Sequence, residues 1–199
     1  MRTTELKVYK FDELPEDVQE KVVNEWRHDD YYPWGDELRD TLTEFEKNYP
    51  VKITEWEYGG GRAGGIYFNF TEEDEIASLK GVRLLKYLQN NNYIPEKDCP
   101  FTAEMVKEPC QIIHVHTKGQ LLGVCFDENI LDPLRAFIEK PSEDIDFYQL
   151  MRDCLHSWLD AAEKDYEYWL SEESIKEEIE ANEYEFTADG KIYRGDSVE

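Results

Sequence analysis

The sequence predicts an α+β fold: an antiparallel sheet built from β-hairpins, helices packed on one face of it, and a long acidic C-terminal helix. Several stretches carry apolar residues every three or four positions, which is typical of helices with one buried face. Others alternate apolar and polar residues around glycine-containing turns, which is typical of hairpins. The 199 residues are 40% hydrophobic and contain no evident linker, so residues 1–199 are predicted to form a single domain.

The positions of the helices and strands are predicted from this spacing of apolar residues and from the prolines and glycines that interrupt it. Residues 5–11 alternate and predict a strand, and Pro15 then lies where the first turn of a helix accepts proline. Pro50 ends the second helix, and Asp189-Gly190 predicts the turn of the last hairpin. Helices are predicted over residues 15–27, 34–49, 75–90, 129–139 and 147–170 and after an N-cap at Ser171; hairpins are predicted to pair 51–58 with 66–71, 111–117 with 121–126, and 184–187 with 191–193.

Residues 142–189 form the acidic stretch around which the chain is organised. They hold 16 Asp or Glu against three Lys or Arg, a net charge near −13 out of −24 for the whole chain. Apolar residues keep a helical spacing from Phe147 to Trp169, which predicts a folded helix and not a disordered acidic tail. Such a helix is about 36 Å long at about 1.5 Å per residue.

The charge also restricts the kinds of partner. With 46 acidic and 22 basic side chains, direct binding to nucleic acid is disfavoured, because that binding depends on Lys and Arg. A basic protein surface is the expected partner instead. Residues 1–11 contain no apolar run typical of a signal peptide, and no stretch approaches the length needed to cross a bilayer. We therefore expect a soluble cytoplasmic protein with no membrane contact.

A few residues could support other chemistry. His114 and His116 would share one face of a predicted strand and are weak candidates for metal ligands. Arg62 lies in the glycine-rich segment 59–65, which we interpret as a flexible connector with a binding loop as the alternative. The four cysteines show no CxxC spacing and are expected to be reduced. No cofactor and no catalytic residues are predicted, and the chain is not expected to be an enzyme.

Three segments carry a resemblance to a known family: residues 9–21, the helix at residues 150–168, and residues 180–191. Residues 9–21, YKFDELPEDVQEK, and residues 180–191, EANEYEFTADGK, resemble the first and last segments of a family of acidic proteins common in tailed-phage and prophage genomes. The glycine-rich segment departs from the loop that is usual in that family. The resemblance implies a phage origin, a small accessory role in the cytoplasm of a bacterial host, and the antitoxin label that some members carry.

These observations lead to one functional hypothesis and two alternatives. The chain is expected to inhibit or modulate a host defence protein by occupying its cationic nucleic-acid-binding surface, as a DNA mimic of anti-CRISPR, anti-restriction or antitoxin type. The alternatives are a metal-binding protein or metal-dependent enzyme centred on His114 and His116, and an acidic assembly or structural factor. The predicted partner-binding residues are Asp146, Asp153, Asp160, Glu163, Glu167, Glu172, Glu173, Glu177 and Glu180, with the aromatic Tyr168 and Trp169.

Overall fold

The structure, a computed structural model, describes residues 6–28, 32–57, 65–94 and 126–195. These belong to two compact units: a terminal unit from residues 1–32 and 165–199, and a central unit from residues 33–164. The single-domain organisation stays a prediction. The helices in the described ranges are α1 (Glu16–Arg27), α2 (Gly35–Asn48), α3 (Asp74–Ala77), α4 (Gly81–Asn90), α5 (Asp127–Glu139), α6 (Phe147–Trp169) and α7 (Glu172–Ala181).

The α+β class is confirmed by a hairpin in the central unit. Strand β1 (Val51–Glu57) pairs antiparallel with β2 (Gly65–Phe70). One face of this hairpin packs its aromatic rings on α6, and Trp56 meets Trp158 edge to face with ring centroids 5.2 Å apart. The other face is exposed. Helices therefore cover one side of the sheet, as the alternating pattern predicts.

A β-bulge decides which residues of β1 are buried. The pairing register shifts between Ile53 and Glu55, so Thr54 is the additional residue, and its hydroxyl donates to the carbonyl of Tyr67 at 3.1 Å. The shift turns Trp56 to the same face as Ile53, whereas strict alternation would have placed Glu55 there. The bulge therefore delivers an indole, and not a carboxylate, to the helix.

Helix α6 supplies the centre of the core, and its predicted span of 147–170 is confirmed to within one residue. Asp146 caps its N-terminus, where Oδ1 accepts from the backbone N–H of Gln149 at 2.9 Å. The residues of α6 that are buried follow the three-and-four spacing expected of one helix face. They are Phe147, Leu150, Met151, Cys154, Leu155, Trp158, Leu159 and Ala162.

The prediction of one helix over residues 75–90 is wrong. The chain forms α3, leaves the helix at residues 78–80, and restarts as α4 at Gly81, whose φ of +52° is left-handed. Backbone partners from elsewhere in the chain explain the break: Gly81 N–H donates to Ser142 O at 3.0 Å, and Phe147 N–H donates to Leu79 O at 3.1 Å. A continuous helix would use these groups for its own hydrogen bonds.

Replacing Gly81 by alanine is expected to lower the free energy of unfolding by about 1–2 kcal/mol, because an L-residue is strained at this φ. An added Cβ would also lie 1.8 Å from Oε1 of Glu143, but that carboxylate ends an exposed, flexible side chain and can move. Urea denaturation measures the loss. Gly35→Ala is the control, since nothing lies within 4 Å of its Cβ and no loss is expected. An equal loss in both variants would contradict the prediction.

The terminal unit joins the two ends of the chain. Helices α1 and α7 pack together through a common core. Its fully described members are Phe11, Leu14, Val22, Val23, Ile175, Ile179 and Phe186. Phe186 lies at its centre, with the Trp26 and Phe11 rings 6.4 Å and 6.2 Å from it.

Two predicted strands of this unit are not extended strands. A short 3-10 helix, Phe11–Glu13, ends the predicted strand 5–11. Of the strand residues that are described, 6–11, only Tyr9 pairs, exchanging backbone hydrogen bonds of 2.9 and 2.8 Å with Phe186. The predicted hairpin 184–187/191–193 is reduced to a bridge between Phe186 and Ile192. Phe186 therefore pairs with Tyr9 from the other end of the chain and also with Ile192 in a short local hairpin. In that hairpin, Thr187 N–H donates to Lys191 O at 2.8 Å and Tyr193 N–H donates to Glu185 O at 2.7 Å.

Some predictions fall outside the described residues. They are the strands at 111–117 and 121–125, the glycine-rich segment up to residue 64 with Arg62, and His114 with His116. In the part of the chain that is described, no helix combines the length and the apolar character needed to cross a membrane.

Candidate binding surface on the C-terminal helices

The first two predicted partner-binding acids of α6 are engaged within the protein. Asp146 is the helix cap described above, and Asp153 accepts from Nε2 of Gln149 at 2.6 Å. Both carboxylates are half-buried. An Asp followed three residues later by Gln is the signature of a helix N-terminus, and this sequence signal could have identified the role of Asp146.

The next predicted acids are distributed over both units. Asp160 is exposed and Glu163 is half-buried in the central unit, while Glu167 is exposed in the terminal unit. A continuous acidic row from Asp146 to Glu180 therefore stays a prediction. The remaining acids lie together on α7, within the terminal unit.

Helix α7 is fixed at its start and along its buried face. Ser171 caps it as predicted, its Oγ accepting from the N–H of Ser174 at 3.1 Å. Ile175 and Ile179, one turn apart, are buried in the core shared with α1. Because these two anchors set the rotation of the helix, its opposite side is held toward solvent.

We define the α7 acidic face as Glu173, Glu177 and Glu180. They are exposed, and their spacing of four and three residues places them on one side of the helix over about 10 Å. None of them forms an ion pair within the described ranges. Three like charges on one face repel one another and gain from a cationic surface.

Tyr168, at the end of α6, adds an aromatic ring to this face. Its hydroxyl donates to Oε2 of Glu177 at 3.0 Å, and the side chain remains 50% exposed. That hydrogen bond and the charge of Glu177, with a smaller contribution from Glu173, raise the pKa of Tyr168 above its usual value. The exposed ring is therefore held in place among carboxylates.

Neighbouring cations do not neutralise the α7 acidic face. Lys176 contacts Oε1 of Glu172 at 2.6 Å, and this contact lowers the pKa of the Glu172 carboxyl. The same ammonium lies 5.8 Å from the ring of Phe11. The described residues of the terminal unit include 16 acidic and seven basic side chains, a net charge of −9. Carboxylates thus remain in excess after pairing.

Trp169, also predicted to bind a partner, is half-buried beside Tyr32, with ring centroids 6.3 Å apart. Tyr32 in turn packs against Tyr166 at 5.4 Å and donates a short hydrogen bond to Asp165. The indole is therefore part of an aromatic cluster within the terminal unit. No local sequence pattern connects Tyr32 to residues 165–169.

The turn at residues 187–191 of the terminal unit carries a strongly perturbed acid. The pKa of Asp189 is lowered to about 2, because Thr187 Oγ1 donates to Oδ1 at 2.6 Å and Lys191 lies 3.0 Å from Oδ2. Because this folded pKa is below the ordinary value of 3.8, the ionised carboxylate stabilises the turn above about pH 4. That contribution disappears as the pH falls from about 4 toward 2.

Thr187→Val is expected to raise the pKa of Asp189 toward 3.8, because the main donor to the carboxylate is removed. A carboxyl-carbon NMR titration measures it. Thr43→Val is the control, since the hydroxyl of Thr43 donates only to the carbonyl of Arg39 in α2. An unchanged Asp189 titration in Thr187→Val would show that the hydrogen bond does not cause the shift.

The described residues offer little for covalent or metal chemistry. Cys154 is fully buried, and this burial strongly raises the pKa of its thiol, which disfavours the thiolate that a nucleophile requires. Within these ranges, no group of three His, Cys, Asp or Glu side chains is arranged to hold a metal ion. His114 and His116 lie outside the described residues, so their metal site stays a prediction.

Comparison of the chain with models of protein families, with curated proteins and with solved structures found no match.

Proposed function

We propose that the chain is an acidic binding protein that occupies a cationic surface on a host protein and thereby competes with nucleic acid. The observation that supports this most directly is the α7 acidic face, with three exposed carboxylates that lack ion pairs to described residues, next to the exposed ring of Tyr168. Acidic and aromatic side chains together suit an interface with a basic protein. The competition is steric and electrostatic and involves no chemical step.

The charge spacing limits how closely this face imitates DNA. Glu173, Glu177 and Glu180 provide about one charge per 5 Å, whereas duplex DNA carries one per about 1.7 Å of axis. A single helix therefore supplies a patch that fits a few Lys or Arg side chains. Glu167, exposed in the same unit, adds to its charge, whereas the charge of Glu172 is offset by Lys176.

The biological setting of this proposal comes from the resemblance of residues 9–21 and 180–191 to acidic phage proteins. On that basis the chain is phage-encoded, acts in the cytoplasm of a bacterial host, and inhibits a defence protein such as a nuclease, a restriction or CRISPR effector, or a cationic toxin. Each of these targets has a cationic groove or surface.

A pull-down from host lysate with the tagged chain tests the proposal. We expect a basic nucleic-acid-binding protein to be retained at low salt and released by added duplex DNA or by high salt, because salt screens exposed charges. Retention only of proteins that resist both treatments would contradict the proposal. A tagged chain with the α7 acidic face reversed to lysine identifies proteins bound through other surfaces.

A further inference from the structure

One edge of β2 has backbone hydrogen-bonding groups that no residue in the described ranges uses. The N–H of Thr71 donates to Pro50 O at 2.9 Å, so its backbone points toward β1. In an antiparallel ladder, successive residues point their backbone groups to alternate edges. Ile66, Phe68 and Phe70 therefore present N–H and C=O to the edge away from β1. No described residue forms a hydrogen bond with those groups, since β1 and β2 form a two-stranded sheet.

The β1 edge of the same hairpin is protected. Glu46 accepts from the N–H of Ile53 through Oε1 at 2.5 Å, while its Oε2 binds Nζ of Lys52 at 2.6 Å. The Glu46 carboxylate thus already accepts the hydrogen bond from the Ile53 N–H, the backbone donor at the centre of that edge. The β2 edge has no comparable charged or proline residue of its own to prevent pairing.

Aromatic side chains at the β2 edge are incompletely covered. Phe68 and Phe70 are half-buried although they face the core side of the hairpin. Tyr148 of α6 stacks on Phe68 with centroids 5.1 Å apart and remains 42% exposed. A strand added along this edge would continue the sheet and remove part of this apolar surface from water.

The absence of charge on β2 indicates which strand would pair there. Residues Gly65–Phe70 contain no ionisable group other than the phenol of Tyr67, in a chain of which 34% is charged. A basic segment would find no carboxylate on β2 for a cross-strand ion pair. Two copies of β2 would place aromatic and apolar residues opposite one another and bring no like charges together across the ladder.

We infer that the β2 edge away from β1 pairs antiparallel with the same edge of a second copy of this chain, about a two-fold axis at Phe68. In this register Phe68 faces the partner's Phe68, and Ile66 faces the partner's Phe70. Each pair consists of residues whose backbone groups point outward, so each exchanges two hydrogen bonds. The exposed Tyr67 then lies opposite the partner's Asn69.

This inference does not rest on the proposed function, and salt separates the two. Chains that each carry a net charge of −24 repel one another, so pairing is expected to be weak at low salt and stronger as salt screens the repulsion. Binding of a cationic partner is instead expected to weaken as the salt concentration rises. The pairing and the partner binding can therefore be tested, and can fail, separately.

Sedimentation equilibrium and amide hydrogen exchange test the pairing directly. We expect a monomer–dimer equilibrium, with the exchange of the Ile66, Phe68 and Phe70 amides slowing as the protein concentration rises. A monomer at all concentrations overturns the inference. So does concentration-independent protection of these amides, because it would show that the chain's own residues cover the edge.

Two double variants test the register. Tyr67→Lys with Asn69→Lys places two ammonium groups opposite one another across the axis, whereas Tyr67→Lys with Asn69→Glu places opposite charges there. The dimer dissociation constant is expected to differ by about tenfold between them, with tighter pairing in the Lys/Glu variant. Thermal unfolding of both variants shows whether the fold is retained. A dimer equally stable in the two variants would place the interface elsewhere and overturn the inference.

Discussion

Replacing Trp158 by alanine is expected to lower the free energy of unfolding by about 4 kcal/mol, the largest stability loss that we predict for a single substitution. Trp158 is a large, fully buried side chain at the middle of α6, in edge-to-face contact with Trp56 of the hairpin. Removing the indole leaves a cavity between helix and sheet. Urea denaturation monitored by circular dichroism measures the loss.

Trp158→Phe is the matched control. The indole Nε1 is buried and has no hydrogen-bond partner among the described residues. Phenylalanine keeps an aromatic ring against Trp56 and removes that unsatisfied donor, so a loss below about 1.5 kcal/mol is expected. Equal losses in the two variants would mean that the cavity is not the main cause of the destabilisation and would contradict the prediction.

Reversing the α7 acidic face to lysine is expected to weaken binding of the cationic partner by about 100-fold. The triple variant carries Glu173→Lys, Glu177→Lys and Glu180→Lys, and changes the net charge by six units. Attraction becomes repulsion at the proposed contact surface. Isothermal titration calorimetry with the protein retained in the pull-down measures the affinity, at low and at physiological salt.

The control has the same total charge but leaves α7 unchanged. Asp40, Glu57 and Glu139 are exposed acids of the central unit without ion pairs to described residues, and all three are replaced by lysine. We expect at most a few-fold weakening in this variant, because its new charges lie outside the contact surface. Equal weakening in both would show that net charge, and not the α7 acidic face, determines affinity.

Tyr168→Phe separates the ring from the hydrogen bond within the same surface. The phenyl ring remains, while the contact from its hydroxyl to Glu177 is lost. A large loss of affinity in this variant would therefore report on the positioning of Glu177 by Tyr168. A loss only in Tyr168→Ala would report on the ring itself.

The acids of the α7 acidic face were predictable because helical spacing and the Ser171 cap are local signals. The hydrogen bond from Tyr168 to Glu177 was not predictable, because Tyr168 lies nine positions before Glu177, on the other side of a turn. Asp146 and Asp153 were predicted as partner-binding acids, and both accept hydrogen bonds from Gln149 in the structure. The composition gives the number of carboxylates, but only the structure shows which of them already form hydrogen bonds or ion pairs within the protein.

The sequence by itself determined those helices and strands whose limits depend on interactions between residues close together in the chain. The spans of α1, α2 and α6 and the first hairpin follow from periodicity and from breakers such as Pro50, which act within a few residues. Only the tertiary structure decided the break before Gly81, the bulge at Thr54 and the pairing of Tyr9 with Phe186. At the break before Gly81 and in the pairing of Tyr9 with Phe186, backbone groups form hydrogen bonds with residues distant in the sequence. The bulge at Thr54 turns Trp56 toward α6. Local propensity contains no information about such distant contacts.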